Sequence, residues 1–451
     1  MVIEQEERVG LGLAERLLGL AESEGATQAE VLVQSGYSRL TRFANSQIHQ
    51  NVAETNSTVN LRVVIGKRIG VASSNRLDDE SLRRLAESAT RIARLQPELP
   101  DFKSLPEPGQ IRPAKGSYSQ ATVDATPEDR AAAAREAIAA ADAAGVKAYG
   151  SYRTESERVT LANSLGIRAD EERTLAHQIT VAMGADGEAG YAEGAAVDHT
   201  TIDARAIGEE AAQKARASRG ATQLEPGDYP VVLEEYAVVD LLDMLGFLGF
   251  SALAVQEGRS FYEEGRRIGS DLVSIWDDGL DPAGTPAGFD YEGVEKQRVD
   301  LVERGVCRGV VYDAYTAGRE GRRSTGHGLP APNVWGPFPL NQFMAPGTAS
   351  RDELIGGLKR GLLVTRFHYT NPVHPKLVMV TGMTRDGLFL VEDGKIVRPV
   401  RNLRFTQSYL DALAGVEAVG RERKLLRGFL GTAVVPAVRI SSFTFTGATE
   451  H

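Results

Sequence analysis

The chain has 451 residues, 42% hydrophobic and 25% charged, and a formal net charge of −10 at pH 7. These values are typical of a soluble globular protein with two or three domains, and the acidic balance argues against nucleic acid or an anionic membrane as a partner. One cysteine, Cys307, excludes an internal disulfide framework. Because the chain starts without a basic, apolar leader and lacks an apolar run of about 18 residues, we expect a cytoplasmic protein.

Residues 1–97 are predicted to form an α+β unit. Apolar residues at helical spacing indicate a first helix, and alternating apolar and polar residues indicate a small antiparallel sheet. A second helix follows the capping segment Leu77-Asp78-Asp79-Glu80. The predicted helices cover 5–24 and 80–95, and the predicted strands cover 29–36, 38–50 and 58–74. Residues 98–126 are rich in proline and form a predicted linker.

The same order of elements recurs in residues 127–226. A helix over 127–145 precedes about four strands, and a helix over 204–218 follows them. The tetrapeptide that begins at Phe43 resembles the one that begins at Leu161, at an offset of roughly 120 residues. The sequence therefore predicts a duplicated helix–antiparallel sheet–helix unit, although chance similarity of two α+β modules is an alternative.

Residues 227–451 are predicted to form a β-rich domain. A short strand over 230–233 leads into an apolar helix over about 235–255, and many hairpins follow, including one at Asp393-Gly394. Long hairpins around one buried helix indicate a curved sheet or partial barrel. The fold class predicted for the whole chain is α+β.

Two acids interrupt this apolar helix. Asp240 and Asp243 are three residues apart and so lie on one helical face, where two buried carboxyl groups can divide acid and base roles. The alternative is a polar stripe that faces a groove or a partner. We favour the stripe because no third ligand or base is close in sequence.

Two further segments are candidates for binding. The Gly-rich segment 318–328 carries Arg322, Arg323 and His327, which can present donors to a carboxylate, although it could equally be a mobile surface loop. The segment 381–387 carries Thr384 and Arg385. The two histidines of the segment RFHYTNPVHPK could meet on a metal ion, but hydrogen-bonded structural roles are commoner for such residues.

An ordered series of segments is similar to the TldD/PmbA family, once called modulators of DNA gyrase. The series extends over almost the whole chain, from about residue 29 to 446, and no single piece is a strict signature. It comprises LTRFANSQIHQ, GKRIGVASSN, LANSLGI, GRSF, FDYEGV, GRRSTGHG, RGLLVTRFHYTNP and TGMTRDGLFLVEDGKIVRPVRNLRF.

In that family the TldD-type subunit carries H-E-x-x-x-H on the central helix and binds one zinc ion. The resemblance places this motif at residues 243–248, where Asp243, Met244 and Leu248 stand instead. Leucine cannot bind zinc and methionine cannot act as a general base. The resemblance therefore implies a TldE/PmbA-type subunit with no metal site or cofactor of its own, and zinc in the partner subunit.

The sequence thus predicts a non-catalytic partner of a zinc metallopeptidase that degrades or matures unfolded peptides. Its expected partners are a TldD-type homologue, or a second copy of the chain in a homodimer, and an unfolded peptide. Arg322, Arg323, His327, Thr384 and Arg385 are the expected peptide or partner contacts. Two alternatives stay open: a stand-alone hydrolase with a non-standard site, or a homodimeric binding or regulatory protein.

Overall fold

The computed structural model describes residues 10–449 as a mixed α+β protein with two β-sheets. This confirms the predicted fold class. The N-terminal part of the predicted first helix, residues 5–9, lies outside the described residues.

The first unit is a three-stranded meander between two helices. Its elements are α1 (Leu11–Ser23), β1 (Gln28–Ala44), β2 (Gln47–Ile65), β3 (Arg68–Ser74) and α2 (Asp79–Leu95). The predicted strand break near Gly36 is wrong, because β1 continues through this residue. Glycine is needed there because a Cβ would overlap the carbonyl oxygen of Ser156 on the adjacent strand. The chain turns instead at Asn45 and Ser46, which both have positive φ.

The second unit repeats this order. Its elements are α3 (Gln120–Asp124), α4 (Pro127–Ala143), β4 (Lys147–Asn163), β5 (Arg168–Met183), β6 (Ala189–Ala196), a 3₁₀ turn (His199–Thr201) and α5 (Ala204–Ala217). This unit thus has three strands rather than about four.

The two units share one six-stranded sheet of order β3-β2-β1-β4-β5-β6. The antiparallel pair β1–β4 joins them at the centre, with Leu32 opposite Leu161. The two similar tetrapeptides both lie at the ends of hairpins, one between β1 and β2 and the other between β4 and β5. The predicted duplication is therefore confirmed. The domain boundaries themselves stay a prediction.

The remaining strands build an eleven-stranded mixed sheet. Its strands are β7 (Gly227–Leu233), β8 (Ile275–Asp277), β9 (Val299–Glu303), β10 (Val306–Cys307), β11 (Asn341–Met344), β12 (Arg360–His374), β13 (Met379–Glu392), β14 (Lys395–Pro399), β15 (Leu403–Ser408), β16 (Val416–Arg427) and β17 (Thr432–Ala448). The helices are α6 (Glu235–Leu248), α7 (Ala252–Gln256), α8 (Ala314–Glu320), α9 (Arg351–Gly356) and α10 (Tyr409–Ala414), with a 3₁₀ turn at Pro375–Leu377.

Five of these strands close into a ring. β7 pairs in parallel with β12 and antiparallel with β17, and β13 and β15 complete the circle. The predicted partial barrel is therefore confirmed. Helix α6 packs against β12 and β17 and supplies the centre of the largest hydrophobic core. The first unit is fastened to this domain by the half-buried Arg62, whose guanidinium lies 2.7 Å from Glu30 and 3.1 Å from Glu292.

The predicted helix over 235–255 is two helices with a break between them. The chain leaves the helical path after Leu248, and the backbone of Phe250 and Ala252 pairs with Val311 instead. Gly249 allows this, because the ring of Phe261 fills the space that a Cβ at this position would need. Among residues 10–449, the helices are all too short or too polar to cross a membrane.

We expect Gly249→Ala to destabilise the protein, because the new methyl group must displace the buried Phe261 ring from the end of α6. A cost of about 2–3 kcal/mol in the free energy of unfolding is typical of overpacking in a core. Gly19→Ala is the matched control, because Gly19 lies in α1 and a Cβ added there would meet nothing within 4 Å. It should be neutral or slightly stabilising. Urea denaturation of both variants measures the difference, and equal midpoints would contradict the packing described for Gly249.

Candidate functional site

Helix α6 lies where the family resemblance places a zinc motif, and its surroundings decide what it can do. Strand β7 leads directly into α6. Glu234, at the N-terminus of the helix, is buried and pairs with Lys214 at 2.6 Å and with Arg351 at 2.7 Å. Apolar side chains on almost every face of α6 pack inside the domain. Polar groups on the helix must therefore find partners within the same chain.

Asp240 receives two hydrogen bonds from this domain. The hydroxyls of Thr370 on β12 and Tyr409 on α10 donate to its two oxygens, each at 2.6 Å. Burial raises the pKa of the Asp240 carboxyl above its ordinary value, and these two donors oppose the rise. The carboxyl group thus ties α6 to β12 and to the helix that follows β15.

Asp243 caps the hairpin loop between β16 and β17. The backbone N–H groups of Phe429 and Leu430 donate to its two oxygens at 2.6 and 3.3 Å. Gly428 lies so close that a Cβ there would overlap the carboxylate. Burial raises the pKa of Asp243 to about 7, against the effect of the two N–H donors, and Asp240 adds a smaller charge effect.

The two acids therefore have separate partners and do not share a hydrogen bond. A zinc ion does not fit this helix. Both oxygens of Asp243 already accept hydrogen bonds from backbone N–H groups, and Met244 and Leu248 occupy the other motif positions. Within residues 10–449, no three His, Cys, Asp or Glu side chains are grouped as a metal ion requires. The hydrogen bonds of Asp240 and Asp243 are structural.

His327 is fully buried and stands apart from α6. Its Nε2 lies 2.8 Å from Asp277 and its Nδ1 lies 2.9 Å from the Thr325 hydroxyl. Burial lowers the pKa of His327, and the charge of Lys296 lowers it further. The sequence reasoning missed Asp277 and Lys296, since fifty residues separate His327 from its aspartate partner.

The other predicted contact residues divide by exposure. Thr384 is fully buried and its hydroxyl accepts a hydrogen bond from the Leu403 N–H at 3.0 Å. Arg322, Arg323 and Arg385 are exposed, and Arg322 lies 3.2 Å from Glu320. His327 and Thr384 are thus unavailable to a peptide or partner in this structure.

An exposed aromatic patch lies at the C-terminal end of α6. It comprises Phe247, Val334, Trp335 and Phe429 and adjoins the buried ring of Phe338. The centroid of the Phe247 ring lies 5.7, 5.7 and 6.1 Å from those of Trp335, Phe338 and Phe429. Val334 is 79%, Trp335 55% and Phe429 78% exposed. Apolar side chains grouped on a surface in this way are typical of an interaction site. The sequence reasoning missed this patch because it combines residues from three distant segments.

Three family models match successive segments of the chain. The family model of the PmbA/TldA metallopeptidase domain 1 matches residues 29–93, the central-domain model matches 122–219 and the C-terminal-domain model matches 226–447. The chain belongs to the PmbA/TldA metallopeptidase family. The resemblance expected from the sequence is therefore confirmed.

Relatives in this family are about one quarter identical to the chain over the residues that align. An uncharacterized protein of Methanocaldococcus jannaschii is 26% identical over 321 residues, which are 69% of this chain and 73% of that protein. The zinc metalloprotease TldD homolog of Saccharolobus solfataricus is 25% identical over 45% of this chain and 46% of its own length. The crystal structure of TldE from Thermococcus kodakarensis has a TM-score of 0.86 at 21% identity and covers 96% of this chain and 100% of that one. This last likeness concerns the fold.

The raised pKa of Asp243 predicts that the stability of the protein depends on pH. A carboxyl group whose folded pKa of about 7 exceeds its ordinary value of 3.8 favours the folded state below pH 4, and this contribution is lost as pH rises to 7. Asp243→Asn removes the titration and keeps one acceptor oxygen. We expect the stability of the wild type relative to Asp243→Asn to fall by roughly 1 kcal/mol per pH unit between pH 4.5 and 6.5.

Chemical denaturation at a series of pH values measures this difference. Asp352→Asn is the control, since Asp352 is exposed at the start of α9. A pH-independent difference between the wild type and Asp243→Asn would show that this carboxyl does not titrate in the range given.

Proposed function

We propose that this chain is the non-catalytic subunit of a zinc metallopeptidase. The observation that carries the proposal is the engagement of Asp240 and Asp243 by hydrogen bonds inside the chain, at the helix where a metal motif is expected from the family resemblance. A carboxylate committed to two backbone donors is not free to bind a metal ion or to activate water. The helix instead supports the ring of strands and the loop between β16 and β17.

In this proposal a TldD-type homologue with an intact H-E-x-x-x-H motif supplies the zinc ion and the general base. Relatives of this chain include proteins named metalloprotease and zinc metalloprotease TldD homologs, which supports such a pairing. This chain would form one wall of a chamber in which unfolded peptides are cut. Extended peptides would be held there by backbone hydrogen bonds with little preference for sequence.

The aromatic patch is the surface that we propose for contact with the partner subunit. Most of α6 is not available for such a contact, because its own domain already covers almost all of its apolar side chains. Only its C-terminal end, at Phe247, continues into exposed aromatic rings. Aromatic residues dominate the binding energy of many protein interfaces. The exposed Arg322, Arg323 and Arg385 stay candidates for contacts with partner or peptide.

Cleavage assays on separate and mixed subunits test this function. The purified chain should cut neither casein nor an unfolded peptide, and zinc-dependent cleavage should appear when it is mixed with a homologue that carries the intact motif. Replacement of the motif glutamate by glutamine in the homologue is the control and should abolish the activity of the mixture. Chelator-sensitive cleavage by this chain alone would contradict the proposal and favour a stand-alone hydrolase.

Substitutions in the aromatic patch test the proposed interface. We expect Trp335→Ser and Phe429→Ser each to weaken association with the homologue about tenfold or more, because each loses a large exposed ring at the contact. Leu95→Ser is the matched control, since Leu95 at the end of α2 is also 79% exposed. Sedimentation or calorimetric titration measures the dissociation constants. Unchanged association in both patch variants would place the interface elsewhere, and self-association of the chain through this patch would favour a homodimer.

A further inference from the structure

Strand β2 has an open edge over much of its length. It pairs with β1 from Gln47 to Val64, but β3 covers its other side only from Val59 to Ile65. Residues 53–57 therefore lie at the edge of the six-stranded sheet, and they are exposed or half-buried. Among residues 10–449, no backbone group other than those of β1 bonds to this part of β2.

Alternate residues of this edge direct their backbone groups outward. Ile65 and Arg68 flank a two-residue turn and so form the hydrogen-bonded pair of a hairpin. Bonded pairs recur at every second residue in an antiparallel ladder. The N–H and C=O groups of Ala53, Thr55 and Ser57 therefore point away from β1, while those of the residues between them bond to β1.

The second unit shows what such an edge can hold. There the pairing of β5 with β6 ends at Ala176, and residues 117–119 run along β5 immediately beyond this point. The N–H of Thr174 donates to the carbonyl of Ser117 at 2.9 Å, and the Ser117 hydroxyl donates to the carbonyl of Glu172 at 3.2 Å. A segment of chain that is not one of the six strands thus covers the edge of β5.

The first unit lacks such a segment among residues 10–449. Ser57 lies two residues beyond Val59, where the pairing with β3 ends, and Thr174 likewise lies two residues beyond Ala176. Because the two units are duplicates, the two positions correspond. One edge is covered by chain and the other is open. Natural proteins usually cover or block the edges of their sheets, because unpaired N–H and C=O groups attract another strand.

A cavity of about 1600 Å³ lies at the open edge. Residues 55–57 line it together with the middle of β1 and β4, and its walls include the first turns of α1 and side chains between residues 118 and 123. The volume exceeds the range of small-molecule sites, roughly 300–1,000 Å³. The space beside the edge can therefore hold a segment of a longer chain.

The charges of this cavity argue against an anionic ligand. Among the described residues that line it, the only cationic side chains are arginines, and each is paired with a carboxylate. The pairs are Arg16 with Asp79 at 2.8 Å, Arg158 with Asp170 at 2.7 Å and Arg173 with Glu171 at 3.3 Å. Serine, threonine and asparagine side chains make up much of the remaining lining. A neutral polar ligand, such as the main chain of a peptide, matches these surroundings.

We propose that the open edge of β2 at residues 53–57 binds an extended peptide segment, which adds to the sheet as a further strand. Main-chain hydrogen bonds to Ala53, Thr55 and Ser57 hold the segment, so that its sequence matters little. The identification of the segment as peptide substrate rests on the proposed function, while the edge itself rests on the strand pairing and the cavity. Nothing is cleaved at this site.

Proline substitution tests the edge in the full chain without its partner subunit. Thr55→Pro removes one outward N–H and is compatible with an edge strand, because that N–H has no partner in the sheet. Thr55→Val is the matched control, since it changes the side chain and keeps the N–H. The probe is N-acetyl-Thr-Val-Thr-Val-Thr amide, a neutral peptide whose residues favour the extended conformation.

We expect the wild type and Thr55→Val to bind the probe in the millimolar range or tighter. Thr55→Pro should bind it about tenfold more weakly or worse, because a main-chain hydrogen bond is lost and the ring obstructs the edge. The melting temperature of Thr55→Pro reports whether this variant folds. Amide hydrogen exchange of the wild type needs no variant. The bound probe should slow exchange at Thr55 and Ser57 more than at Asn56, whose N–H already bonds to β1.

Three results would overturn the proposal. The first is equal binding of the probe by folded Thr55→Pro, and the second is absence of binding up to tens of millimolar or unchanged exchange at Thr55 and Ser57 with the probe bound. The third is dimerisation of the chain that Thr55→Pro abolishes, which would mean that the edge pairs with a second copy instead of a peptide. Sedimentation of the wild type and Thr55→Pro without the probe measures this third outcome.

These outcomes are separate from those that test the proposed function. If mixtures with the homologue show no cleavage but the probe still binds at the edge, the edge stands and the pairing of subunits fails. If the mixture cleaves peptides and Thr55→Pro changes neither binding nor cleavage, the pairing of subunits stands and the edge proposal fails.

Discussion

The pairing of β7 with β17 is the constraint on which the C-terminal domain depends. It closes five strands into a ring, with Val231 opposite Ile440 and Leu233 opposite Val438. Because β7 leads directly into α6, closure of the ring presses this helix into the core, where its apolar faces contact β12 and β17. The polar groups on α6 are then partly or fully removed from bulk water, Asp243 most completely, and must be satisfied within the domain.

The roles of Asp240 and Asp243 follow from that burial. Each carboxyl group fastens α6 to a neighbouring element, Asp240 to β12 and α10 and Asp243 to the loop after β16. The same loop contributes Phe429 to the aromatic patch. A helix position that could carry metal chemistry in a related protein thus serves here to hold this loop in place. This is the physical basis for the proposed role as a subunit that supports a reaction without its own metal site.

Much of the fold could be predicted because it depends on neighbours in sequence. The Asp393-Gly394 turn has positive φ at both residues and joins β13 to β14 as expected. The Asp78 side chain accepts from the Ser81 N–H and begins α2 within one residue of the predicted start. The features that sequence reasoning missed depend on distant partners. The break after Leu248 requires the ring of Phe261, and the burial of His327 requires Asp277.

We propose that the carboxyl groups of α6 serve the structure and that zinc belongs to the partner subunit. A crystal structure of this chain with a motif-bearing homologue, with anomalous diffraction recorded at the zinc edge, tests this proposal most directly. We expect one zinc peak per pair of subunits, on the central helix of the homologue, while Asp243 of this chain still accepts from Phe429 and Leu430. A zinc peak bound to Asp240 or Asp243 would contradict it.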